Sequence, residues 1–152
     1  MRMLYFAYGS NLNIEQMKMR CPLAKPLKGI MIPNWRLVFR GYADIEPYKD
    51  AILLGGLWEI TQECEKVLDK YEGVKGGLYR KCYFPYEDRQ VLYYRMNDNE
   101  IYYPPSWYVE VIAEGYRDFN LELADLSAAV DHAYEKGTEI FFEEEEANVS
   151  YG

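Results

Sequence analysis

The chain has 152 residues, with 25 acidic and 17 basic side chains, a formal net charge of -8, one histidine, three cysteines and sixteen tyrosines. The acidic balance argues against a broad basic footprint for nucleic acid, and one histidine excludes metal sites built on two or three imidazoles. The length fits one domain that needs no covalent staples, and Cys21, Cys64 and Cys82, far apart and without a C-x-x-C pair, read as reduced thiols of a cytoplasmic protein.

Leu4 to Tyr8 reads as a short apolar strand, too short for a signal peptide or a membrane span, so no membrane partner is expected. Gly9-Ser10-Asn11 turns the backbone. Asn13 is placed as the N-cap of a helix with Ile14, Met17 and Cys21 at helical spacing, stopped by Pro22. Pro26 to Ile32 and Trp35 to Phe39 read as two strands turned at Pro33-Asn34. Gly41 to Asp50 is polar and loop-like, and Ala51 to Ile60 is a further strand. Gly55-Gly56 inside that strand predicts a bulge or a close backbone approach.

Thr61 to Tyr71 has the clearest helical pattern. Thr61 caps it, Cys64, Val67, Leu68 and Tyr71 share one stripe, and Gly73 sits at a C-terminal glycine position. Leu78 to Tyr86 and Gln90 to Met96 are aromatic-rich strands joined at Glu87-Asp88. Ser106 is expected to cap a helix with Val109, Ile112, Ala113 and Tyr116 inward. A last helix, about Glu122 to Lys136, ends at Gly137 and carries Leu123, Leu126, Val130 and Ala133 or Tyr134 on one face. The division is a folded domain over 1–137 and an acidic C-terminal tail over 138–152. The pattern implies α+β, or a small barrel with flanking helices.

Three features could carry chemistry. The strand-turn-helix element Tyr8-Gly9-Ser10-Asn11-Leu12 can aim successive backbone N–H groups at an anion, although a plain connection would look the same. Glu72 follows the inward Tyr71 at a helix end. The negative end of the helix dipole and partial burial would both disfavour its charged form, which suits a general base. Tyr8, Tyr79, Tyr93, Tyr94 and Tyr108 could line a pocket with their rings and orient a substrate with their hydroxyls. His132, mid-helix on a polar face, is expected to be exposed and no part of a triad with Ser10. The run Glu143 to Glu146 is expected to stay solvated without a metal, and Asn148-Val149-Ser150 fits a glycosylation acceptor only by chance.

Tyr5-Phe6-Ala7-Tyr8-Gly9-Ser10-Asn11-Leu12 resembles the signature of the gamma-glutamylcyclotransferase-like (AIG2-like) family. So does Leu68-Asp69-Lys70-Tyr71-Glu72-Gly73-Val74, followed by Tyr79. Trp35 to Phe39, Leu54 to Ile60, and Pro104-Pro105-Ser106-Trp107-Tyr108 leading to Gly115-Tyr116 fall in the family's order, so the resemblance spans about residues 3–121. It implies a small mixed β-barrel flanked by helices. It also implies a reaction in which the α-amine of a γ-glutamyl group attacks its own side-chain carbonyl, closing 5-oxoproline and releasing the attached amine or amino acid.

On that resemblance Glu72 is the general acid/base. Tyr8, Gly9, Ser10, Asn11 and Leu12 hold the glutamyl moiety, and Tyr79, Tyr94 and Tyr108 line the pocket, with Tyr93 a rival to Tyr94. No cofactor is implied, the partner is a small γ-glutamyl compound, and the state is left open between monomer and homodimer. Asn11 points to γ-glutamyl amino acids as substrates. The chain departs from relatives at Asp118-Phe119-Asn120-Leu121, where a glycine-leucine-proline segment is frequent, and the last helix and tail match nothing in the family pattern. The competing expectation is a silent binding or regulatory protein of the same fold.

Overall fold

The computed structural model describes residues 2–140. The segment Glu143 to Glu146 and the motif Asn148-Val149-Ser150 lie outside the described residues.

Strand β1 (Arg2–Ala7) leads through Gly9 into a single 3-10 turn (Ser10–Leu12) and helix α1 (Ile14–Arg20). Asn13 caps α1, its side chain accepting from the N–H of Gln16 at 3.0 Å. Two long strands follow, β2 (Lys25–Arg40) and β3 (Tyr42–Thr61), then helix α2 (Gln62–Tyr71), strands β4 (Tyr79–Tyr86) and β5 (Arg89–Met96), and helices α3 (Ser106–Asp118) and α4 (Ala124–Lys136). The strands form one five-stranded sheet in the order β2-β3-β1-β5-β4, antiparallel except for the parallel pair β1-β5. The α+β expectation is met. The barrel is corrected: the sheet is not closed, and β2 and β4 remain its edges.

Two of the expected boundaries are also corrected. Pro33-Asn34 does not separate two strands. It is an irregularity inside β2, where Asn34 takes φ 64° and its side chain accepts from the N–H of Asp50 at 3.0 Å. Gly41 to Asp50 is not a loop, since all of it after Gly41 belongs to β3. The polar residues that suggested a loop are cross-strand partners. Arg36 pairs with Glu46 at 2.8 Å, and Arg40 bonds Asp44 at 2.6 Å and Glu46 at 3.1 Å. Charges of opposite sign on neighbouring strands stabilise the pair they bridge, so polarity there marks pairing.

The remaining elements follow their local chemistry. Thr61 caps α2 by accepting from the N–H of Cys64 at 3.1 Å. Gly73 turns the chain out of α2 at φ 63°, a left-handed conformation that costs glycine little. Ser106 makes no side-chain cap; Pro105 occupies that position, and Ser106 is the first helical residue of α3. At the end of α4, Ala133 is buried and Tyr134 is exposed, which decides the alternative left open in the sequence. His132 is half-buried, not exposed.

The core is shared by the sheet and the inner sides of α2, α3 and α4, through Leu68, Ile112, Tyr116, Leu126 and Ala133. Gly115 lets α3 reach the 3-10 turn. A Cβ there would lie 2.6 Å from the Cβ of Leu12 and 2.7 Å from the backbone nitrogen of Asn13. Asn13 fastens the same junction by donating to the carbonyl of Val111 at 3.0 Å and to Glu114 at 2.7 Å. No helix of the described residues is long and apolar enough to cross a membrane.

Candidate active site

Alternation along the strands sorts the aromatic residues. Tyr5 pairs with Leu92, and Tyr79 pairs with Met96, so Tyr5, Tyr79 and Tyr94 point to one face of the sheet. Helix α2 covers that face and ends there in Glu72. Glu72, Tyr5, Tyr8, Tyr79, Tyr94 and Tyr108 are each at most 1% exposed. The structure therefore brings together the carboxylate and all four tyrosines that the resemblance named.

The links between them are specific. The side-chain amide of Asn11 donates to Glu72 Oε1 at 3.2 Å and to the hydroxyl of Tyr5 at 2.9 Å. Arg20 in turn donates to Asn11 Oδ1, and to Gln16 Oε1 at 2.7 Å, with its guanidinium 5.1 Å from the ring centre of Tyr71. The hydroxyl of Tyr8 donates to the carbonyl of Tyr94 at 2.6 Å. That of Tyr79 donates to the carbonyl of Ala43 at 2.6 Å, and that of Tyr108 accepts from the N–H of Ala43 at 2.9 Å. Tyr94 donates to Asp69 Oδ1 at 2.7 Å, and Asp69 is paired with Lys81 at 3.0 Å. Edge-on contact of Tyr5 with Tyr94, centroids 5.9 Å apart, closes the cluster.

Tyr93 lies on the opposite face. It packs against Trp35 and Phe84 with centroids 6.5 Å and 5.6 Å away. Tyr94, not Tyr93, thus shares a face with the Glu72 end of α2. The turn residues Gly9 to Leu12 sit beside the cluster, but the N–H of Leu12 already donates to the carbonyl of Gly9 at 3.0 Å.

Burial sets the protonation of this centre. It raises the phenols of Tyr5, Tyr8, Tyr79, Tyr94 and Tyr108 well above their ordinary value, and the nearby carboxylates reinforce the shift. These hydroxyls are therefore neutral at pH 7, able to donate or accept hydrogen bonds but not to act as anionic bases. Burial lowers Arg20 from its usual value, while the charge of Glu72 acts the other way. Asp44, a second buried carboxylate, is tied to Arg40 and accepts from the N–H of Met96 at 2.9 Å.

Tyr5, Arg20 and Asp44 were missed as members of this cluster by the sequence. Tyr5 lay in the quoted motif, three residues before Tyr8. Arg20 could have been found from its helical i, i+4 relation to Gln16. Asp44 was hidden because its strand was read as a loop. Clefts of about 440, 310 and 100 Å³ lie against other residues. No group of three or more metal-ligating side chains is found among the described residues.

The profile of the AIG2-like family matches residues 53–122, a stretch that includes Gly55-Gly56, α2, Glu72, Tyr79, Tyr94 and Tyr108. A gamma-glutamylcyclotransferase of Bos taurus is 29% identical over 137 residues, 79% of this chain and 73% of that protein. A solved structure described as a gamma-glutamyl cyclotransferase superposes with a TM-score of 0.71 at 22% identity, covering 97% of each chain. An uncharacterized protein from Homo sapiens gives the same TM-score at 23% identity, over 97% of this chain and 96% of that one. At such identities the two structures establish the fold alone. The chain thus shares its fold with the gamma-glutamyl cyclotransferase structure, and its residues 53–122 are similar to the AIG2-like family.

Proposed function

We propose that the chain is an enzyme of the gamma-glutamylcyclotransferase type, which cyclises a γ-glutamyl group to 5-oxoproline and releases the attached amine or amino acid. The observation that carries this reading is the burial of Glu72 at the end of α2, with one carboxylate oxygen held by Asn11 among neutral tyrosine hydroxyls.

Nucleophile and electrophile belong to one molecule, so most of the catalytic task is to fold the substrate into a near-attack geometry. The attacking α-amine must lose a proton. An ordinary α-amine titrates near pH 8 and an ordinary glutamate near 4.3, a mismatch of roughly 5 kcal/mol. A base held against the amine meets that gap by position. Glu72 takes the amine proton as the new C–N bond closes the five-membered ring. It then returns the proton to the departing nitrogen as the old C–N bond breaks, so no proton is gained or lost overall.

In this reading Asn11 orients the base, and Arg20 and Tyr5 orient Asn11. The hydroxyls of Tyr8, Tyr79 and Tyr108 exchange their backbone partners for the substrate's carboxylate and carbonyl. The Gly9 to Leu12 turn contributes backbone N–H groups. The relative from Bos taurus, named a gamma-glutamylcyclotransferase, supports the same reaction class. The test is incubation with γ-glutamyl amino acids, γ-glutamylamines and glutathione, with detection of 5-oxoproline. Release of 5-oxoproline from one substrate class by the native chain, and not by Glu72→Gln, is expected. No product from any of them would favour a silent binding protein.

A further inference from the structure

A cleft of about 440 Å³ opens between α4 and the β2–β3 pair, and it shares no lining residue with the Glu72 cluster. Its walls are unusual in their polar groups. Tyr116 is fully buried, and its hydroxyl has no hydrogen-bond partner among the described residues. His132 lines the same cleft, and its Nδ1 is buried and equally without a partner. Buried side-chain donors and acceptors are nearly always satisfied in native proteins, so two orphans on one cleft call for an explanation.

The charges around them give the sign of a ligand. Asp125 lines the cleft from the first turn of α4, and no Lys or Arg of the described residues forms an ion pair with it. Burial raises its carboxyl above the usual range, and its charge in turn adds to the burial that raises the Tyr116 phenol. Asp50 contributes a second carboxylate. Arg36 is the one guanidinium of the lining, and it is already committed. It donates to Glu46 at 3.0 and 2.8 Å and stacks on Tyr48 with 3.8 Å to the ring centre. Burial and the charge of Arg36 lower His132, so its imidazole is neutral at pH 7. The lining is therefore net acidic, and two of its neighbouring groups, Asp125 and the Tyr116 hydroxyl, can accept hydrogen bonds. Leu37 and Leu53 supply apolar floor, while alanines on α4 leave the volume open.

We propose that this cleft is a second binding site, for a primary organic ammonium ion with a small apolar body. Its N–H groups donate to Asp125 and to the hydroxyl of Tyr116, and its body rests on Leu37 and Leu53. The site is separate from the Glu72 centre and does not depend on the activity proposed for it.

His132 is the only histidine of the chain, so its ring protons report on the cleft without ambiguity. The full chain is titrated at fixed pH with 2-phenylethylamine, 2-phenylethanol and 3-phenylpropanoate, three probes with one body and different heads. A saturable shift of the His132 resonances by the amine is expected, with affinity about tenfold or more above that of the alcohol, as a charge-assisted hydrogen bond supplies. Asp125→Asn, at an exposed position, weakens the amine about tenfold, and Tyr116→Phe weakens it several-fold. Glu72→Gln leaves the affinity unchanged. Equal affinity for amine and alcohol, tighter binding of the carboxylate, an unaltered Kd in Asp125→Asn, or no saturable shift would each overturn the proposal.

Discussion

The two faces of the central sheet are both rich in aromatic residues, yet they are built to opposite ends. On one face Tyr5, Tyr79 and Tyr94 meet Tyr8, Tyr108, Asn11 and Glu72, and hydroxyls are joined to carboxylates, amides or backbone. On the other, Phe6, Phe84, Tyr93 and Trp35 pack in edge-to-face and tilted contacts and line a small apolar cleft of about 100 Å³. The first face fixes directions, because every hydrogen bond has a geometry to keep. The second fixes volumes, because dispersion and burial are blind to direction. Adjacent residues of β5, Tyr93 and Tyr94, are divided between them by strand alternation alone.

The largest expected effect falls on the directional face. Glu72→Gln keeps the shape of the side chain and can still accept from Asn11, but it cannot take a proton. Turnover should fall by at least the 100- to 10,000-fold that positioned acid/base catalysis supplies. Ligand binding and the thermal midpoint should change little. The check is 5-oxoproline release beside calorimetric binding of a γ-glutamyl compound; release near the native rate would remove Glu72 from the proposed reaction.

Next comes the volume-filling face. A Cβ at Gly55 would stand 2.3 Å from Cζ of Phe6 and 2.6 Å from the carbonyl oxygen of Ala7. The ring of Phe6 is held by Phe84, and the carbonyl is backbone, so neither yields cheaply. Gly55→Ala should destabilise the fold by about 3 kcal/mol, at the upper end for overpacked cores. For a chain of this size that is a drop in Tm of about 10 °C. An unchanged Tm would mean that the two strands are not so closely apposed.

How far the sequence foretold this division depends on what each residue's neighbours in the chain reveal. Gly55-Gly56 announced a close approach by residue type, since only a missing Cβ explains two glycines inside a strand. Thr61, Asn13 and Gly73 announced helix ends through their capping chemistry, which is local. Glu72 was legible as a carboxylate at a helix end. The bonds from Asn11 to Glu72 and from Arg20 to Asn11 were not. The first joins positions 61 residues apart, and such pairings depend on how α2 lies over the sheet. The open sheet was missed for the same reason, because closure depends on whether β2 meets β4. The polar stretch before Asp50 misled in the opposite direction, as Asp44 and Glu46 answer Arg36 and Arg40 on the paired strand.

The smallest effects come from deleting a single hydroxyl from each of the two neighbouring tyrosines, and their difference measures the contrast between the faces. Tyr94→Phe removes the 2.7 Å donor to Asp69 and leaves that half-buried carboxylate to Lys81 alone. Losing a partner from a charged acceptor costs about 1–3 kcal/mol. Because Tyr94 also packs on Tyr5, which bonds Asn11, the proposed activity should fall with the stability. Tyr93→Phe keeps the ring that packs on Trp35 and Phe84, so its cost should stay within about 0.5 kcal/mol, with activity intact. Urea denaturation and 5-oxoproline release, measured on both variants, decide the matter. Equal losses in both would show that the hydroxyl network gives its face no advantage over packing, whereas a loss confined to Tyr94→Phe ties the direction-setting face to Asp69 and, through Tyr5 and Asn11, to Glu72.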